Sequence, residues 1–335
     1  MNLTDPKYSR FALVREMMET PGVIRDFDSE CAMDYADRAL DKRGIFMTGE
    51  GSSRIFPAKR AISYGLRTGS KIPVFTEGAT QAMEYDLSEY AIFGASNSGR
   101  TKELIRLFTK WRELGHDTLF GLTANEATPL AALAHQTHVL GCGKEDAVAA
   151  TKSVVEQALF YDSLIRRLYG ECMCRLDELA DHVHEALTLQ IDPELVKLFS
   201  RAGRIYFAGR NDGVAEELTL KTNEITRKSS DFLEGTYAVH GIEEVMDAGE
   251  VMVVIEPFES EEEKFESCLV KGVGMPVVAI STRQTRFPTI LIPDQEKYAR
   301  YIQLAAGWNL LVEIGLASGI DLDKPVRARK VGNEV

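Results

Sequence analysis

GIFMTGEGSSRIFPAKR, residues 44–60, reads as an apolar run, a glycine turn and the start of a helix. The same order returns as RIYFAGRNDGVAEELTLK, residues 204–221. A short run rich in β-branched and aromatic residues, stopped by glycine and followed by a helical period, is the pattern of a strand feeding a helix. Each copy is followed, at nearly the same distance, by a matching element: FTEGAT at 75–80 and FLEGTY at 232–237. Alternating chains can look self-similar by chance, but the shared Glu-Gly element favours duplication of one module, with the border near residue 190.

Outward from these stretches the alternation continues. Apolar runs at 44–48, 72–75, 90–94, 118–122 and 137–140 are separated by segments of helical length, and a second series lies at 204–208, 250–255, 276–280 and 289–292. Strands and helices in strict alternation predict an α/β fold of parallel sheets covered by helices on both faces. Residues 8–42 predict a helical arm ahead of the first strand. Residues 151–190 predict one long helix, with Val154, Val155, Leu159, Leu164 and Leu168 as its apolar contacts. The expected organisation is an N-terminal arm over 1–40, a first module over 41–190 and a second over 191–335.

With 335 residues, 44% hydrophobic and 27% charged, the chain can bury two cores. No stretch approaches the ~20 uninterrupted apolar residues of a membrane span. The charged N-terminal segment lacks the apolar core of a secretory leader, which gives a cytoplasmic expectation. Thirty-nine basic against 51 acidic residues leave a net charge of -12, a field that repels nucleic acid. An anionic ligand must then be held by local dipoles. Cys31, Cys142, Cys172, Cys174 and Cys268 show no Cys-x-x-Cys spacing and no accompanying histidines, so idle thiols are expected rather than a zinc site.

In an open parallel sheet, ligands bind at the carboxyl ends of the strands, where loops enter helices. Two loops there are rich in hydroxyls: Gly49-Glu50-Gly51-Ser52-Ser53-Arg54, and Ser96-Asn97-Ser98-Gly99-Arg100-Thr101. Free backbone N–H groups and the positive helix end attract an anion, and hydroxyls add donors matched to phosphoryl oxygens. A single serine here would simply cap the following helix. Three hydroxyls with Asn97 and Gly99 in six residues exceed what a cap needs, and a phosphate monoester is the expected occupant. Gly49-x-Gly51 also imitates half of a dinucleotide fingerprint, but Arg54 stands where its third glycine belongs, so a nicotinamide enzyme is the lesser alternative.

A third loop, Glu145 to Lys152, has small residues that permit close approach of a ligand, though alone they carry no weight. In the second module Lys221 and Glu224 lie three apart and face the same way on a helix; by spacing alone they read as a surface ion pair. His240 is by itself either a surface histidine or a general acid or base. Histidines 116, 135, 138, 182 and 184 have no partner motif and are assigned no role.

Taken together, these residues resemble the sugar isomerase (SIS) domain family, and in particular the isomerase half of glucosamine-6-phosphate synthase and its relatives. The family's S-[QN]-S-G-x-T phosphate loop is similar to Ser96-Asn97-Ser98-Gly99-Arg100-Thr101, and its glycine turn ending in two hydroxyl residues to Ser52-Ser53. Its V-A-S-T-K loop is similar to Val148-Ala149-Ala150-Thr151-Lys152, its L-K-x-x-E-I helix to Leu220-Lys221-Thr222-Asn223-Glu224-Ile225, and its H-G pair to His240-Gly241. The D-x-P-x-x-L-x-K ending resembles the run from Asp323 to Lys330.

The resemblance implies two tandem SIS subdomains, each a flavodoxin-like, doubly wound parallel sheet flanked by helices, with no metal and no cofactor. It implies phosphate binding by Ser52, Ser53, Ser96, Asn97, Ser98 and Thr101, with Val148 and Ala150 lining the sugar. Glu224 would move a proton between C1 and C2, His240 would assist ring opening, Lys330 would close over the ligand and Lys221 would support the charge balance. It further implies a homodimer in which His240 comes from the neighbouring subunit. The expected substrate is a ketose or aldose 6-phosphate, an amino sugar or fructosamine in particular, handled by an isomerase, deaminase or deglycase. No glutaminase domain is expected, so full synthase activity is not. The alternatives are a sugar-phosphate-binding regulator and an isomerase of another 6-anionic sugar, such as a 6-sulfo sugar. Ala150 replaces a family serine, and Thr236-Tyr237-Ala238-Val239-His240-Gly241-Ile242 departs from the family's G-E-x-x-H-G-P, so the sugar end of the ligand is where this chain differs.

Overall fold

The computed structural model describes residues 1–327. Two compact units can be distinguished. One comprises Gly22–Asp146 with Ala150–Asp177, the other Met1–Pro21 with Ala147–Ala149 and Glu178–Val326.

The first unit is built on five parallel strands: β1 (Gly44–Gly49), β2 (Val74–Gly78), β3 (Tyr90–Ala95), β4 (Leu119–Thr123) and β5 (Gln136–Val139). Their order across the sheet is β2-β1-β3-β4-β5. Successive side chains of a strand point to opposite faces, and each face finds its own cover. Ile45, Met47, Ala91, Phe93 and Ala95 pack with Tyr35, Phe120, Phe160 and Leu164. Phe46 and Ile92 turn the other way, onto Leu104, Leu107, Phe108 and Trp111. Burial on both faces is why these strands read as continuous apolar runs.

The second unit repeats the plan with β6 (Arg204–Gly209), β7 (Ser229–Glu234), β8 (Val251–Ile255), β9 (Val277–Ser281) and β10 (Thr289–Leu291), all parallel. The order is β10-β9-β8-β6-β7, the same topology as the first sheet. Tyr206, Ala208, Met252, Val254, Val277 and Ala279 form the core on one of its faces. In both sheets the first strand lies beside the third, so the order reverses between β1 and β3 and between β6 and β8. Such reversal points leave a crevice at the carboxyl ends of the strands.

Several expectations require correction. The sequence marks no strand at β7, because Ser229–Glu234 is an edge strand with alternating exposure and few apolar residues. The helical arm expected over 8–42 consists of three segments, Pro6–Ser9, Ala12–Asp26 and Met33–Ala39. The long helix expected over 151–190 is Lys152–Leu168 and Leu176–Thr188, separated where Gly170 (φ +71°) and Arg175 (φ +61°) adopt left-handed backbone. A further helix, Pro193–Arg201, starts on the Asp192 carboxylate, which accepts from the Glu194 N–H at 2.8 Å. Among the described residues, no helix is long and apolar enough to cross a membrane.

Candidate functional site

At the reversal point of the first sheet, β1 and β3 run side by side with Gly49 opposite Ala95, so the two hydroxyl loops leave the sheet at one level. A Cβ on Gly49 would stand 2.8 Å from the Ala95 carbonyl oxygen, so glycine is what lets the two loop origins come this close. After β1 a single turn, Gly51–Ser53, leads into the helix Ile55–Thr68, with Ser52 buried and Ser53 half-buried.

The loop after β3 is organised by its own hydroxyls. The buried Ser96 hydroxyl pairs with Thr101 Oγ1 at 2.9 Å and accepts from the Gly99 N–H at 3.1 Å. Ser98 Oγ accepts from the Arg100 N–H at 3.3 Å, and Asn97 donates through Nδ2 to the Gly143 carbonyl. Gly99 has φ +63°, and a Cβ there would lie 2.5 Å from Thr128 Oγ1, so no larger residue fits the turn. Thr101 occupies the N-cap of the helix Lys102–Glu113 without any side-chain capping bond. The hydroxyls therefore shape the loop rather than terminate the helix, and the simple capping role does not describe them.

Val148 and Ala150 are both half-buried. Two carboxylates to which the sequence reading gave no role hold their stretch of chain. Within the first unit, buried Glu145 accepts from the Thr151 N–H at 2.7 Å and from its hydroxyl at 3.2 Å. Within the second, buried Glu16 accepts from the Ala147 N–H at 3.3 Å.

In the second unit the helix Val214–Thr226 carries Lys221 and Glu224. Spacing alone makes them a surface pair, and here the structure overturns the expectation. The Lys221 side chain is wholly buried; its Nζ lies 2.8 Å from Glu224 Oε2 and 3.3 Å from Oε1 of Glu217, itself wholly buried. Burial opposes the ammonium charge, but the two carboxylates outweigh it and hold Lys221 above lysine's ordinary pKa. Glu224 alone of the three reaches solvent, with 27% of its side chain exposed. Glu217 was legible in principle, one helical turn before Lys221.

His240 follows the short turn Tyr237–Val239 and is exposed. Its Nε2 lies 3.3 Å from Lys264 Nζ, and among the described residues no hydrogen bond joins it to Glu224. The structure thus brings Lys221 and Glu224 together, and Ser96 with Thr101, while His240 shares no hydrogen bond with Glu224 among the described residues. Lys330 lies outside the described residues.

The SIS domain family model matches residues 40–167. Comparison with curated protein sequences gives no match. Among solved structures, the chain is similar to the C-terminal domain of glucosamine-fructose-6-phosphate aminotransferase from Francisella tularensis, at 17% identity and a TM-score of 0.79, over 94% of this chain and 98% of that one. It is also similar to tagatose-6-phosphate ketose/aldose isomerase from Escherichia coli, at 17% identity and 0.79, over 96% and 98% of the two chains. Glucosamine-6-phosphate deaminase from Thermotoga maritima has 19% identity and a TM-score of 0.74, over 97% and 98%. Residues 40–167 match the SIS domain model, and the second sheet repeats the strand order of the first, so the chain has the fold of two tandem SIS subdomains.

Proposed function

We propose that the protein is an isomerase-type enzyme acting on a sugar 6-phosphate, with an amino sugar or fructosamine 6-phosphate as substrate. In this reading Ser52, Ser53, Ser96, Asn97, Ser98 and Thr101 receive the phosphate, and Val148 and Ala150 line the sugar. Glu224 accepts a proton from one of C1 and C2 and returns it to the other, the task of a positioned carboxylate. His240, supplied by a second copy of the chain, passes a proton during ring opening, and Lys330 closes over the open-chain sugar. Isomerisation, deamination and deglycation share this proton transfer and differ in what leaves C1 or C2. The working form is a homodimer in the cytoplasm.

The observation that carries the reading is Lys221. A buried ammonium fixed between Glu217 and Glu224 leaves Glu224 as the solvent-reaching carboxylate of the two. A proton acceptor held in one place is what enediol chemistry needs. The likeness in fold to proteins named for glucosamine-6-phosphate and tagatose-6-phosphate supports the substrate class.

The test is proton NMR of the purified protein in deuterated buffer, with fructose-6-phosphate, glucosamine-6-phosphate and a fructosamine-6-phosphate supplied separately. Deuterium entering C1 or C2, or released amine, is the expected result and names the substrate. Binding without exchange or turnover across the panel would replace the enzyme with a sugar-phosphate sensor.

A further inference from the structure

The reversal point of the second sheet has an occupant of its own. In the first sheet Ser96 directly follows β3, and its N–H donates to the Leu122 carbonyl of the neighbouring strand at 2.9 Å. In the second sheet the residue directly following β8 is Glu256, whose N–H donates to the Ile280 carbonyl of the neighbouring strand at 2.9 Å. Glu256 therefore stands in the second module where Ser96 stands in the first.

Its carboxylate is received as a ligand would be. Ser281, with no exposed surface, donates its hydroxyl to Glu256 Oε1 at 2.9 Å. The Thr282 N–H donates to Oε2 at 3.0 Å, the Thr282 hydroxyl reaches Oε1 at 3.4 Å, and the buried Gln303 amide lies 3.5 Å from Oε2. Arg210 donates to the Glu256 backbone carbonyl. Arg300 lines the same crevice and donates through Nε to Asp212 at 3.0 Å. A hydroxyl pair, a backbone N–H and an amide converging on two oxygens form an oxyanion receptor. The cavity left beside it measures about 10 Å³, room for about one water. Glu256 also has φ +44°, in the left-handed region that a branched or long side chain avoids. Strained backbone at this point brings the carboxylate onto the donors.

We propose that the second module carries an anion site filled by the chain's own Glu256 carboxylate, which shuts out a free tetrahedral oxyanion such as phosphate. The duplicated modules then differ by one substitution of role: the first presents hydroxyls to a ligand, and the second supplies the ligand itself. Register and donors carry this independently of what the first module binds.

Glu256→Gly and Glu256→Asn test it, since both residues accept positive φ and asparagine retains a polar side chain should glycine loosen the loop. Equilibrium dialysis against inorganic phosphate counts ions bound per chain, with folding checked by circular dichroism. Each variant should take up one more phosphate than the unchanged protein, and adding Ser281→Ala should remove or weaken that extra uptake. Unchanged stoichiometry in a folded variant overturns the proposal, as does an extra phosphate indifferent to Ser281→Ala. Because the readout is a difference, failure of the first-module phosphate reading would leave it intact.

Discussion

Lys221 Nζ lies 2.8 Å from Glu224 Oε2 with the lysine wholly buried and the glutamate partly open to solvent. A buried cation with two carboxylate partners costs little only while all three are present. Lys221→Met leaves Glu217 buried without its counter-charge, and removing one partner of a buried pair typically destabilises by about 3–5 kcal/mol. Urea denaturation should show a loss of that order, and Glu217→Gln in the same chain should restore part of it. A single variant as stable as the unchanged protein would mean that Lys221 is not needed to neutralise Glu217.

Glu224→Gln is expected to retain the fold with some loss of stability, because Glu217 still neutralises Lys221. On whichever sugar phosphate the deuterium experiment identifies, turnover should fall by roughly 10²–10⁴, the usual contribution of a positioned general base. A variant of full activity would move the proton transfer to another residue.

Ser96→Ala and Ser98→Ala each remove a hydroxyl from the loop after β3. If each contributes a hydrogen bond to a charged phosphate, affinity should weaken by about 1.5–3 kcal/mol per hydroxyl, some ten- to a hundredfold. Ser96→Glu should do more, since it places a carboxylate at the position that Glu256 holds in the second sheet. Calorimetric titration with the identified sugar phosphate separates the cases; equal affinity in all three variants would place the anion elsewhere.

One buried and one half-buried imidazole predict acid sensitivity. Burial holds both His116 and His138 below the ordinary histidine value of 6.5. His116 is also committed by its bonds: Nδ1 accepts from the Thr118 N–H at 3.1 Å, which leaves Nε2–H to face the Leu87 carbonyl at 3.2 Å. Well above pH 6.5 both histidines are neutral folded or unfolded. As pH falls below it, the unfolded chain binds protons that the folded chain refuses, so stability declines until the folded values are passed. The slope can reach at most about 1.4 kcal/mol per pH unit for each histidine. His116→Asn and His138→Phe should each flatten the fall of the urea midpoint below about pH 6.5; a slope unchanged from that of the original protein in both variants would assign the acid sensitivity to other groups.

Particular residues divide what was legible from what was not. The loop Ser96 to Thr101 announces itself because its chemistry lies within six consecutive positions, and β1 and β6 are plain because strands buried on both faces carry runs such as Ile45–Met47 and Ile205–Ala208. β7 is hidden because an edge strand can carry Ser229, Ser230 and Asp231 without burying them fully. The meaning of Lys221 is hidden too, since the spacing from Lys221 to Glu224 is the same on a solvated face as in a core.

The amino-acid order by itself determined two modules of alternating strand and helix, the hydroxyl-rich loop, and the placing of Lys221 one turn from Glu224. All of these follow from local period and turn chemistry. Only the tertiary structure decided that Lys221 is buried against Glu217, that Ser96 and Glu256 hold equivalent places in their sheets, and that Ser281 and Thr282 close on the Glu256 carboxylate. Burial depends on which faces pack, and strand register joins residues far apart in the chain. Neither is written in the spacing of neighbours.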